Sequence, residues 1–115
     1  DPKAEDIARE NAAMNGLGSA VFTALTGDVL SDKQMVQQLA ATQSDLVLAN
    51  IVADVIIPLS QVVPQLLKPT GTFLCSGVLK TRLPEVEAAI CAAGLAITSR
   101  REQQDWCCLT AKRRI

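Results

Sequence analysis

Polar residues that end apolar runs are the places where this sequence could do chemistry. Asn50 closes the run Asp45-Leu46-Val47-Leu48-Ala49-Asn50, and Asp54 lies just beyond it. Asp28 follows Gly27 after the apolar stretch 20–25, and Ser76-Gly77 closes Thr72-Phe73-Leu74-Cys75. If those runs are strands of an open α/β sheet, all these residues sit beyond carboxyl ends, where such sheets bind ligands. Asn50 says most, because an amide carries two donors and an acceptor that burial would leave to be satisfied. The plainer roles are a helix N-cap or turn for Asn50, a turn aspartate for Asp28, a first-turn acid for Asp54 and a strand end for Ser76-Gly77.

Composition removes other chemistries. The chain has 115 residues and no His, which excludes a Ser-His-Asp triad, a Cys-His pair and any His-ligated metal. Eleven basic against twelve acidic residues give a net charge of -1, unlike the strongly basic balance of a nucleic-acid binder. With 49% hydrophobic residues the chain is not a disordered one. No metal site and no direct nucleic-acid partner are therefore expected. Cys75, Cys91, Cys107 and Cys108 form no C-x-x-C pair, and they read as reduced thiols, three or four of them buried, in a cytoplasmic protein. The longest nearly apolar run, 46–57, is interrupted by Asn50 and Asp54 and is short of the ~20 residues of a membrane helix.

The elements that must position these residues follow from periodicity. Residues 2–15 read as a helix, capped by Asp1 with Pro2 in the first position and ended by Asn15-Gly16. A helix cap as first residue, with neither an initiator Met nor a signal segment, predicts a piece of a longer chain. Residues 20–25 read as a strand, 32–41 as a short helix, and 45–50 as a strand covered on both faces. The stretch 52–67 is helical but kinked or split by Pro58 and Pro64. Residues 68–71 read as a loop, 72–76 as a buried strand broken by Gly77, and 82–93 as a helix stopped by Gly94. Residues 95–99 and 106–110 are final strands, and the segment between them is too short for a crossover helix, so they pair antiparallel. Arg100, Arg101 and the tail 112–114 read as solvated surface. This alternation predicts an α/β fold with a mostly parallel sheet ending in an antiparallel hairpin, within a single domain.

Several stretches carry a family resemblance. Residues 1–16 are similar to the segment after the second strand of class I S-adenosylmethionine-dependent methyltransferases. Asn50-Ile51-Val52-Ala53-Asp54, Leu67-Lys68-Pro69-Thr70-Gly71, Ser76-Gly77-Val78-Leu79 and Glu102-Gln103-Gln104-Asp105-Trp106-Cys107-Cys108-Leu109 resemble one branch in order. That branch is PrmA, the bacterial methyltransferase family of large-subunit ribosomal protein L-eleven. The resemblance covers essentially the whole chain; Thr70 departs from the usual glycine of its loop.

The resemblance implies a Rossmann-like class I methyltransferase sheet lacking its first two strands. With them would go the glycine-rich loop, the ribose-binding acid and the separate substrate-recognition domain. Residues 1–115 would then be the carboxyl-terminal part of one catalytic domain, inactive by itself. S-adenosylmethionine is the implied cofactor and a ribosomal protein the implied partner. Asn50 would lie between the methyl-sulfonium and the incoming amine, and Asp28 where this fold often accepts a hydrogen bond from the adenine amino group.

Ile51-Val52-Ala53 put no aromatic directly after Asn50, which suits an aliphatic amine better than a planar one. A neutral amine needs alignment and desolvation more than a strong base, so the lack of His is no obstacle. A non-catalytic interaction module that has lost its cofactor half is the alternative; a nicotinamide-binding half has no glycine fingerprint to support it. Without the first strand beside it, 45–50 would expose an unpaired edge and bare aliphatics, which predicts self-association.

Overall fold

The computed structural model describes residues 1–114. Helix α1 (Pro2–Met14) starts as the sequence dictates: Asp1 accepts from the Lys3 N–H at 2.9 Å, with Pro2 next to it. Helix α2 (Lys33–Ala41) is capped in the same way, by Asp32 accepting from the Met35 N–H at 3.0 Å. Strand β1 (Ser44–Asn50) leads into α3 (Ala53–Leu59), which contains Pro58, and α4 (Val63–Leu66), with Pro64 in its first turn. The two prolines thus split one apolar stretch into two short helices, as expected. Strand β2 (Leu67–Leu79), a 3₁₀ turn (Lys80–Arg82), α5 (Leu83–Ala92), β3 (Leu95–Gln103) and β4 (Trp106–Arg113) complete the chain.

The sheet order is β1-β2-β4-β3. Strands β1 and β2 pair in parallel, and β4 pairs antiparallel with both β2 and β3. Three of the four strands therefore run one way and β4 alone runs against them, which gives the expected carboxyl-terminal hairpin. Its turn is tight: Gln104 takes φ 54°, and only Gln104 and Asp105 separate the strands.

Four local expectations are corrected. Residues 20–25 form no strand; the N–H groups of Val21 and Phe22 turn back to the Gly18 carbonyl. A run of β-formers without a neighbouring ladder leaves its backbone unpaired, so local turns take over. Residues 68–71 are not a loop but the start of β2, where Leu67 lies opposite Ser44 and an irregularity absorbs the mismatch before Leu46 meets Thr72. Gly77 does not end β2; it sits in a bulge between Cys75 and Val78. The polar residues 100–103 belong to β3, because pairing with β4 satisfies their backbone whatever their side chains.

One sheet face carries the core. Ala49, Phe73, Cys75, Leu109 and Ala111 pack on Ile56, Val86 and Ile90 from the helices. Each such large side chain contributes about 1.5–3 kcal/mol on leaving water. The other face of β1 is open, which corrects the expectation of cover on both sides: Leu46 is 53% and Leu48 65% exposed. Among the described residues β1 pairs only with β2, so its far edge is free.

No helix among the described residues is long and apolar enough to cross a membrane. The four cysteines are unpaired; Cys75 and Cys107 are buried, while Cys91 and Cys108 are only half-buried, fewer buried than expected. Burial pushes the Cys75 thiol up to about 11.

Candidate functional site

The carboxyl ends of β1 and β2 lie side by side, because parallel pairing puts Asn50 opposite Ser76. The Ser76 hydroxyl donates to Asn50 Oδ1 at 3.0 Å. A carbonyl oxygen accepts two hydrogen bonds, so one lone pair of Oδ1 and both Nδ2 protons stay available. Asn50 is exposed and is not a helix cap: Val52 takes the N-cap position of α3 and makes no side-chain cap bond.

Gly77 sets how closely the two strand ends approach. Its φ of +78° lies in the left-handed region that side chains disfavour. A Cβ there would come within 3.0 Å of Asn50 Oδ1 and 3.6 Å of the Ile51 carbonyl oxygen. The glycine thus leaves open the space in front of the Asn50 amide.

A cavity of about 250 Å³ adjoins this point, lined by Val52, Ala53, Asp54, Gly77, Leu79, Arg82 and Trp106. Asp54 is in the first turn of α3, as expected, but it also pairs with Arg82 at 2.8 Å. Arg82 holds Glu85 at 2.9 Å as well, and these two carboxylates raise its guanidinium further above its ordinary value. The network fastens the start of α3 to the start of α5. Trp106 is 51% exposed at the start of β4. It brings to the site the aromatic that the run after Asn50 lacks, so the motif alone does not exclude a planar acceptor.

Asp28 is held by hydrogen bonds of its own turn. Its Oδ1 accepts from the Leu30 N–H at 2.9 Å and its carbonyl from the N–H groups of Ser31 and Asp32, a turn ahead of α2. Among the described residues no hydrogen bond joins it to Asn50, and its other carboxylate oxygen accepts none. The adjacent Val29 and Leu30 line a separate cavity against α2 and α4.

The basic residues are less uniform than their sequence suggests. Arg100 pairs with Glu87, and Arg113 reaches in to donate to the carbonyls of Pro64 and Leu67, where α4 ends. The sequence points to Ser76-Gly77 as a strand end beyond which a ligand could bind, and it gives Arg82 and Trp106 no role. The Ser-Gly pair ending a run parallel to Asp45-Leu46-Val47-Leu48-Ala49-Asn50 is the available signal; Trp106 lies in the stretch 102–109 that carries the resemblance but has no role there, and Arg82 has no signal. No group of three or more Cys, Asp or Glu side chains among the described residues is placed to hold a metal.

Residues 1–114 match the family described as Ribosomal protein L11 methyltransferase (PrmA). The chain is 38% identical over 111 residues to a Ribosomal protein L11 methyltransferase of Symbiobacterium thermophilum, covering 96% of this chain and 33% of that protein. It is 36% identical over 105 residues to one of Agathobacter rectalis, covering 91% and 32%. A crystal structure of ribosomal protein L11 methylase from Lactobacillus delbrueckii subsp. bulgaricus superposes with a TM-score of 0.78 at 26% identity, covering 94% of this chain and 51% of the other. The chain thus spans about a third of the length of these curated relatives. Its sheet is that of the class I methyltransferases in truncated form.

Proposed function

The chain belongs to the ribosomal protein L11 methyltransferase (PrmA) family, and from that premise we propose that it is the carboxyl-terminal part of the catalytic domain of an S-adenosylmethionine-dependent protein methyltransferase. Its acceptors are amino groups of a ribosomal protein, lysine ε-amines or the chain's α-amine. The observation that carries this reading is Asn50: an exposed amide at the carboxyl end of β1, oriented by Ser76 and left unobstructed by Gly77.

The residues present fit one wall of a cofactor site. The left-handed turn at Gly77 keeps clear a space that a Cβ would fill, and Ile51 and Val52 beside it are exposed and apolar. When bound, S-adenosylmethionine supplies an electrophilic methyl group on a sulfonium. Asn50, Ile51 and Val52 would border it, and the free carboxylate oxygen of Asp28 would accept a hydrogen bond from the adenine amino group.

The chain's own part is alignment and desolvation. Asn50 Oδ1 has one lone pair left to accept an N–H of the incoming amine, and the nearby Ile51 carbonyl offers a second acceptor. Two acceptors held by strand ends aim the nitrogen lone pair away from themselves, toward the reacting carbon. Val52, Leu79 and Trp106 displace water from the approach. No group of the site needs to act as a strong base, since the amine arrives neutral. The rate should therefore rise with pH toward the lysine pKa of ~10.4 unless the site lowers it.

The test is methyl transfer from labelled S-adenosylmethionine to a ribosomal protein, by the full reading frame that encodes this chain. Label should appear on lysine or amino-terminal nitrogen, and Asn50→Ala should lose at least about tenfold in kcat/KM with its circular dichroism unchanged. Equal rates for Asn50→Ala and the parent would remove Asn50 from its role. Failure of the parent to bind S-adenosylmethionine in calorimetry would favour the non-catalytic module instead.

A further inference from the structure

We infer that Ser76 is a positioning residue, which acts on the methyl acceptor through Asn50 and touches neither acceptor nor cofactor itself. The inference rests on the reading of Asn50 given above. Asn50 is the last residue of β1, which among the described residues is an edge strand, and its side chain is exposed. Left alone, an exposed asparagine explores several rotamers, and its broad amide torsion adds further freedom. An acceptor oxygen that wanders in this way is in place for only a fraction of encounters.

Here one hydrogen bond restricts it. Ser76 Oγ reaches Oδ1 at 3.0 Å from the neighbouring strand, and the parallel register that pairs Asn50 with Ser76 fixes where that hydroxyl stands. The bond engages one lone pair of Oδ1 and leaves the other facing out. Gly77 completes the arrangement. Its bulge and positive φ turn the chain immediately after Ser76, so that no Cβ competes for the space 3.0 Å from the same oxygen. Serine supplies the hydroxyl, and glycine keeps the far side of the oxygen free.

This arrangement gives Ser76 a signature that a merely structural residue lacks. Loss of its hydroxyl lowers the population of the aligned Asn50 without altering the sheet, the cavity or the apolar residues around the site. Turnover should fall, while binding of the cofactor should stay as it was. Threonine keeps the hydroxyl and suits a strand, so it should restore the alignment.

The experiment uses the full reading frame with Ser76→Ala, Ser76→Thr, Asn50→Ala and the double variant Ser76→Ala/Asn50→Ala. Ser76→Ala should lower kcat about three- to tenfold, with KM for the acceptor and the calorimetric Kd for S-adenosylmethionine within about twofold of the parent. Ser76→Thr should recover most of the rate, and the double variant should be no slower than Asn50→Ala alone. In parallel, the side-chain amide resonances of Asn50 should lose their dispersion and rigidity in Ser76→Ala but keep them in Ser76→Thr.

Unchanged turnover in Ser76→Ala, or losses that multiply in the double variant, would overturn the role of Ser76 while leaving that of Asn50 intact. A parent that transfers no methyl group would overturn the functional reading alone. The amide resonances would then still report whether Ser76 holds Asn50, and unaltered resonances in Ser76→Ala would overturn the inference too.

Discussion

Replacing Gly77 by alanine probes the geometry at the end of β2. Two costs arise there, and the structure provides a control that separates them. The first is the left-handed backbone: with φ at +78°, a residue with a Cβ costs roughly 1–2 kcal/mol. Gly94 at φ +88° bears the same cost, but a Cβ there would meet nothing within 4 Å. The second cost is specific to Gly77, where the new Cβ would lie 3.0 Å from Asn50 Oδ1.

Asn50 is exposed and free to swing away, but doing so breaks its bond to Ser76, worth about 0.5–1.5 kcal/mol. Gly94→Ala should therefore destabilise the protein by about 1–2 kcal/mol, and Gly77→Ala by about 1 kcal/mol more. Urea unfolding followed by circular dichroism measures both. In an Asn50→Ala background the excess at Gly77 should disappear, since the oxygen that the Cβ meets has been removed. Equal destabilisation by the two alanines, or an excess that persists without the Asn50 side chain, would refute the close approach of Gly77 to Asn50.

Two other outcomes are expected. The free edge of β1 and its bare face, with Leu46 53% and Leu48 65% exposed, should make the isolated 115-residue chain self-associate. Sedimentation should show oligomers that dissociate in a Leu46→Lys/Leu48→Lys variant, and a monodisperse parent monomer with a cooperative, high melting transition would contradict this. The Cys75 thiol, pushed by burial from the ordinary 9.0 up to about 11, remains protonated in the fold at pH values where the unfolded chain ionises. The unfolded state then binds fewer protons, so stability should decline as pH rises from about 9 to about 11, by at most about 1.4 kcal/mol per pH unit. Denaturant titrations of the parent and Cys75→Ala across that range measure it, and identical slopes would contradict the assignment.

Legibility from the sequence followed the range of each interaction. Asp1 marked the start of α1 and Pro58 and Pro64 the split of the stretch 52–67 correctly, because capping and proline sterics act within a few residues. The antiparallel hairpin was readable because a connection that short permits no other pairing. The stretch 20–25 was misread, since its β-branched and apolar residues describe a strand only where a neighbour offers a ladder. Residues 68–71 were misread the other way: Pro69 and Gly71 look like a loop, yet pairing carried β2 through them.

At the candidate site, Asn50 stood out as an amide ending an aliphatic run, and the family resemblance gave it a role. Ser76 and Gly77 stood out only as one of the strand ends beyond which a ligand could bind, with no role given to either side chain. Their importance depends on a parallel register with residues 26 positions away, which no local pattern encodes. Trp106 and Arg82 enter the cavity from elements far along the chain for the same reason.

By itself, then, the sequence determined the family, the alternation of helices and strands, and the exclusion of histidine chemistry. The family rests on the motifs that resemble it, and the other two on composition and short-range periodicity. Only the tertiary structure decided which hydroxyl holds Asn50, why a glycine must stand beside it, and which face of β1 lies open. Those facts arise from strands meeting side by side, where register and backbone turn bring distant residues within 3 Å.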